Sequence, residues 1–220
     1  MANRLALFDC DGTLVDGQHG ICAAMISAFD EAGIVPPTRP AILAVVGLSL
    51  PAAMARLLPD AESALHDQLT DRYKLAFQLL RRQNAVHEPL FDGIADLLDR
   101  LDADGWVLGI ATGKSDRGLS ILLDVHGLAK RFVTLQTADR HPSKPHPSMA
   151  LLAMAEAGAE PDTTVMIGDT SFDIEMGIAA GCRPLGVAWG YHPPEHLIAA
   201  GAHSVAMDSA ELYRHIAGHD

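Results

Sequence analysis

The sequence predicts an α/β fold, a mostly parallel sheet layered with helices and carrying an inserted all-helical segment. Short apolar runs ended by Gly, Thr or Asp alternate with helical patterns, which is the mark of parallel strands joined by crossover helices. Between Gly17 and His87 the strand-like runs stop and only helical stretches remain. The 220 residues, 49% apolar and 20% charged, suffice for one good core and a smaller second one.

Residues 4–8 form the first apolar run, which meets Asp9 and Asp11 and so reads as a buried strand feeding an acidic loop. Helical stretches are expected near 21–31, 41–46, 51–58 and 61–83, with no convincing strand among them. Chain breaks fall after Asp16 and within 83–93, where Pro89 and Gly93 bracket the return to the strand-bearing part. The expected division is therefore a core of residues 1–16 and 89–220 and an insert of residues 17–88. Further strands are predicted at 106–111, 163–167 and 184–189, with a weaker candidate at 132–135. An apolar helix is expected over 148–157, for which Pro147 is a natural first-turn residue. There is no internal repeat and no low-complexity tract.

The formal charge of −12 supplies none of the basic footprint that nonspecific nucleic-acid binding needs. Residues 17–88 hold six basic and seven acidic side chains, so the acidity belongs to the strand-bearing part. Cys10, Cys22 and Cys182 lie far apart and form neither a disulfide framework nor a zinc spacing. The apolar run before Asp9 is too short for a signal-peptide core, and no run approaches the roughly eighteen residues of a membrane span. A cytoplasmic protein without nucleic-acid or membrane partners, working as a monomer or homodimer, is expected.

In an open parallel sheet, ligands gather beyond the carboxyl ends of the strands. Four clusters fall there. Asp9-Cys10-Asp11-Gly12-Thr13 follows the first strand, and a turn needs its glycine but not two acids. Thr112-Gly113-Lys114-Ser115 offers a hydroxyl and a backbone N–H beside a helix start, groups that can hold phosphate oxygens. Lys144 sits in the proline-stiffened loop Ser143-Lys144-Pro145-His146-Pro147. Gly168-Asp169-Thr170-Ser171-Phe172-Asp173 places two acids one helical turn apart, if a helix starts near Thr170. Each cluster alone has an ordinary structural explanation, such as capping or solvation. All four in this order, each bordering the same sheet edge, do not.

The series D-x-D-G-T, T-G, K-P and G-D-x-x-x-D resembles the haloacid dehalogenase superfamily of phosphohydrolases, over essentially the whole chain from Phe8 to Gly190. The helical insert is similar to the cap of its phosphoglycolate phosphatase-like branch, which implies a Rossmann-like core with a mobile lid. By position, the resemblance makes Asp9 the nucleophile and a Mg²⁺ ligand. Asp11 becomes the general acid and base, its backbone carbonyl also on the metal. Thr112 and Lys144 would hold the phosphoryl group, Asp169 would bind the metal directly, and Asp173 would act from behind it. Cys10 and Gly12 would lend backbone N–H groups, while Gly113 and the cap turn at Gly47 would face the substrate, a small phosphorylated metabolite. Gly17 departs from the polar residue that many relatives carry, and Cys10 from an apolar one. Carboxylates on both sides of Cys10 should keep its thiol protonated. No histidine spacing supports a zinc site, and His192 is a candidate lid contact.

Elementary electrostatics agree with a metal. Four carboxylates beside one lysine carry a formal charge of about −3, and two like charges 4 Å apart repel by roughly 4 kcal/mol at an effective dielectric of 20. A phosphate dianion needs a hard divalent cation to enter such a site. Two other readings stay open on the residues alone: a phosphomutase of the same superfamily, and a noncatalytic receiver-like phospho-acceptor domain, which also combines acids, magnesium, a hydroxyl and a lysine.

Overall fold

The computed structural model describes residues 2–218. Six parallel strands form one sheet in the order β3-β2-β1-β4-β5-β6: β1 (Asn3–Phe8), β2 (Val107–Thr112), β3 (Phe132–Thr137), β4 (Ala159–Gly168), β5 (Arg183–Val187) and β6 (Ser204–Ala206). The order reverses between β1 and β4, which leaves a crevice beyond their carboxyl ends. This is the Rossmann-like α/β sheet that the sequence predicts.

Residues 5–8 of the central strand β1 are fully buried, and their side chains alternate between faces. Ala6 and Phe8 join one core with Ile94, Leu98, Ile110 and Leu212. Leu5 and Leu7 join the other with Met149, Ala153, Met166 and Met176. The first face is covered by α5 (Ile94–Ala103), α6 (Asp116–Val125) and α10 (Ser209–Ala217) and the second by α7 (Ser148–Ala157) and α8 (Ser171–Ala179), with α9 (Pro194–Ala199) packed on β5 and β6. Burial on both sides makes β1 a rigid platform for Asp9.

Between β1 and α5 the chain forms α1 (Gln18–Glu31), α2 (Arg39–Leu43), α3 (Leu50–Leu57) and α4 (Ser63–Arg82). These four helices close around a third core of Ala24, Met25, Phe29, Ile42, Met54 and Leu69. The segments that lead into and out of them run side by side: Asp16 N–H donates to Pro89 O at 2.9 Å, Phe91 N–H to Leu14 O at 3.0 Å, and Val15 bridges Leu90 antiparallel.

Two expectations need correction, and one strand goes unpredicted. The strand predicted at 184–189 ends at Val187, after which Ala188 and Trp189 enter the loop that carries Tyr191 and His192. The last strand, β6, is only three residues long and two of them are half-buried, so no apolar run announces it. Pro147 precedes α7 as its cap rather than lying in its first turn.

Candidate active site

The crevice between β1 and β4 holds the acids. Asp9 follows β1, and its N–H donates to Ile167 O at 2.8 Å, which fixes it against the neighbouring strand. Asp169 follows β4. Its Oδ1 accepts from Thr13 Oγ at 3.0 Å and its Oδ2 from the Tyr191 N–H at 2.8 Å. Two glycines make room for that carboxyl: a Cβ on Gly12 or on Gly190 would stand 2.1 Å from an Asp169 atom. Gly12 also has φ +90°, a conformation that L side chains rarely adopt.

Lys144 is fully buried between two acids, its Nζ donating to Asp9 Oδ1 and Asp173 Oδ1, both at 2.6 Å. The other oxygen of Asp173 accepts from the Thr170 N–H at 3.1 Å and from Thr170 Oγ at 2.7 Å, closing a capping box at the start of α8. Asp173 therefore serves as helix cap and as counter-charge to Lys144 together. Asp9 Oδ2 is the exception in this network, a buried carboxylate oxygen without a partner.

Carboxylate oxygens of Asp9, Asp169 and Asp173 lie within 4.8 Å of one another. Three carboxylates against one ammonium leave a formal −2 among side chains that are almost fully buried. Burial pushes the Asp9 carboxyl up to about 7, opposed by Lys144 and reinforced by Asp173 and Asp11. Burial and the neighbouring acids Asp9 and Asp173 push Asp169 up as well. Burial lowers the Lys144 ammonium, but the carboxylates of Asp173 and Asp9 outweigh it, so its pKa is raised. The donor set fits a hard divalent cation. Asp9 Oδ2 is unpartnered, Asp169 sits in its glycine cradle, and Asp173 is already engaged through both oxygens, which suits a supporting place behind the metal.

A stability prediction follows from the Asp9 shift. Well below 3.8, the ordinary value, the carboxyl is protonated both folded and unfolded. As pH rises toward about 7, the folded chain keeps a proton that the unfolded chain has released, so stability falls with pH over that window. A cation that binds the ionised carboxylate competes with this proton. Mg²⁺ is expected to raise the melting temperature more at about pH 8 than at about pH 5, as read by thermal melts at a fixed Mg²⁺ concentration.

Asp11 is placed apart from that cluster. Its Oδ1 is ion-paired at 3.0 Å with the Nζ of Lys114, whose hydrogen bond goes to Glu88 Oε1 at 2.7 Å. Burial is the main reason its carboxyl is raised, with Lys114 opposing and Glu88 adding to it. Sequence reasoning assigns no role to Lys114 or Glu88, although Lys114 stands inside the Thr112-to-Ser115 cluster. Thr112 is buried, and its Oγ accepts from the Lys114 N–H at 3.2 Å, which leaves the hydroxyl proton free to donate.

The expected backbone donors fare differently. The Gly12 N–H donates to Val15 O at 2.9 Å, and the residue combines a positive φ with a close approach to Asp169. Cys10 is fully buried, and burial first, then Asp11, pushes its thiol well up, which keeps it protonated. Gly113 meets the helical insert: a Cβ there would lie 2.6 Å from Leu48 O and 2.8 Å from Gly47 O. Gly47, with φ +95°, approaches Thr170. Ser49 N–H donates to Ser143 Oγ at 2.9 Å, and His192 links the Ser171 N–H (3.2 Å) to Ala44 O (3.3 Å). The turn at Gly47 thus rests on three of the four clusters.

Above the acids lies a cavity of about 660 Å³. Met25, Val46, Leu48, Tyr73 and Phe77 line it from the insert, and Thr112, Lys114 and Arg117 from the sheet side. It opens directly onto Asp9 and Asp11.

Comparison with known proteins agrees with this geometry. The chain is 38% identical over 200 residues to the "Probable phosphatase IndB" of Dickeya dadantii, covering 89% of this chain and 86% of that protein. It is 30% identical over 193 residues to the phosphoglycolate phosphatase of Xylella fastidiosa, covering 87% and 83% respectively. A crystal structure of a predicted phosphatase from Clostridium acetobutylicum superposes with a TM-score of 0.88 at 24% identity, over 99% of this chain and 100% of the other. A family model described as haloacid dehalogenase-like hydrolase matches residues 6–187, a span that contains all four clusters. With acids, lysine and threonine gathered at the carboxyl edge of a sheet of this order, the chain belongs to the haloacid dehalogenase-like hydrolase family, among its phosphatases.

Proposed function

We propose that the chain is a Mg²⁺-dependent phosphomonoesterase that cleaves a small phosphorylated metabolite through a phospho-Asp9 intermediate. The observation that carries this reading is Asp9 itself, with one oxygen held by Lys144, the other buried without a partner, and carboxylate oxygens of Asp169 and Asp173 within 4.8 Å of the residue. Asp9, Asp169 and the Asp11 carbonyl would hold the metal. When bound, Mg²⁺ supplies positive charge that lets a phosphate dianion approach the acids.

The Asp9 carboxylate attacks phosphorus in line, the P–O ester bond breaks, and Asp11 gives its proton to the departing alkoxide. Asp11, now ionised, takes a proton from water as that water attacks phosphorus; the P–O bond to Asp9 breaks and inorganic phosphate leaves. Lys144 and the Thr112 hydroxyl steady the phosphoryl oxygens. Asp173 keeps Lys144 charged and aimed. Residues 17–88 act as the cap, and their apolar wall around the cavity receives the organic part of the substrate.

The test is phosphate release from a panel of 2-phosphoglycolate, sugar phosphates, nucleoside monophosphates and pyrophosphate, with Mg²⁺ or with a chelator. Stoichiometric phosphate that disappears on chelation and returns with Mg²⁺ is expected. Turnover that ignores the chelator would overturn the metal reading.

A further inference from the structure

We propose that Lys114 is a positioning residue for Asp11, and that Glu88 and Arg81 tie its placement to the helical insert. The inference rests on the reading of Asp11 as the acid and base. Lys144 is committed to Asp9 and Asp173, whereas Asp11 has Lys114, 3.0 Å away, as its cationic partner. The pair is largely shielded from solvent, each side chain 11% exposed, so its attraction is screened much less than that of a surface ion pair.

Lys114 is in turn held. Glu88 Oε1 lies 2.7 Å from its Nζ, and Glu88 Oε2 accepts from Arg81 Nη2 at 3.0 Å. Arg81 is in the last turn of α4, on the insert, and its guanidinium lies over the Phe77 ring, 5.4 Å from the centroid. The Glu88 backbone is fixed to the core side, its carbonyl 2.8 Å from His126 Nε2. A continuous chain of charges, Asp11 to Lys114 to Glu88 to Arg81, thus runs from the reaction site through the returning segment to the insert.

Gly17 completes the slot. A Cβ at that position would stand 2.8 Å from Asp11 Oδ1, so a side chain there would displace the carboxylate from its place beside Lys114. The φ of Gly17 is −94°, open to any residue, so space and not backbone freedom calls for glycine. This gives a physical reason for the departure from the family pattern at Gly17.

A double-mutant cycle tests the inference. Lys114→Met is expected to lower kcat by about 10–100-fold, a part of what a general acid and base contributes, with KM changed by less than about threefold. In an Asp11→Asn background the same substitution should cost nothing further, because its effect passes through Asp11. Lys114→Arg, which keeps the cation, should recover much of the loss. Glu88→Gln should lower kcat by a few-fold and likewise lose its effect beside Asp11→Asn; it also serves if Lys114→Met does not fold. Several outcomes overturn the proposal: additive losses, a raised KM at unchanged kcat, which would make Lys114 a substrate contact, or full kcat in both Lys114→Met and Glu88→Gln. Failure of the phosphatase reading itself would show separately, as absence of Mg²⁺-dependent phosphate release by the unmodified chain.

Discussion

Asp9→Asn is expected to abolish phosphate release, lowering kcat by at least about 10⁴-fold, as loss of a catalytic nucleophile does elsewhere. The amide oxygen is a poor nucleophile toward phosphorus and cannot form the phospho-Asp9 intermediate. Stability should move the other way. Burial already disfavours the ionised Asp9, and an asparagine carbonyl can accept the Lys144 hydrogen bond without bringing a charge. Lys144 keeps Asp173 at 2.6 Å as its counter-ion. The melting temperature without Mg²⁺ should therefore equal or exceed that of the unmodified chain. Single-turnover phosphate release and a thermal melt read the two effects, and substantial residual turnover would remove Asp9 as the nucleophile.

Lys144→Met should fail in both respects. It leaves Asp9 and Asp173, 1% and 0% exposed, facing one another without a cation. Removing one partner of a buried ion pair costs about 3–5 kcal/mol, because the charge left behind has lost both water and its counter-ion. A loss of unfolding free energy of that size is expected from denaturant titration, smaller in Mg²⁺, which would supply part of the missing positive charge. Turnover should fall with it, since the phosphoryl oxygens lose their ammonium. An unfolding free energy within about 1 kcal/mol of that of the unmodified chain would mean that the two carboxyls tolerate each other by protonation, and that Lys144 is not what makes their burial possible.

The legible part of this protein is the part set by local pattern. Residues 5–8 announce a buried strand because every one of them is apolar, and Asp9 stands out because a charge directly after such a run has to be explained. The helices of the insert show through their periodicity, and Asp173 through its spacing from Asp169. The strand β6 leaves no such signal, because Ser204–Ala206 is held by pairing to β5 rather than by its own composition. The link between Lys114 and Glu88 is hidden for a related reason. The two are 26 positions apart, one after β2 and the other in the returning segment, and only the folded chain brings them to 2.7 Å. Thr13 and Tyr191, which orient Asp169, come from opposite ends of the sequence and have no spacing that connects them. Gly113 lines the cavity, and a Cβ there would also run into the carbonyls of Gly47 and Leu48, which its sequence neighbours do not announce. A sequence shows where a glycine is, but not which backbone approaches it.

The bridge between Val15 and Leu90 has a bearing on modularity. A long excursion that departs and returns at adjoining points is topologically neutral: whatever is spliced there, neither the strand order nor the placement of Asp9 has to change. A module of another shape can therefore be spliced there without disturbing the sheet, provided that it brings its own partners for Lys114 and for the loop edges on which the present one rests.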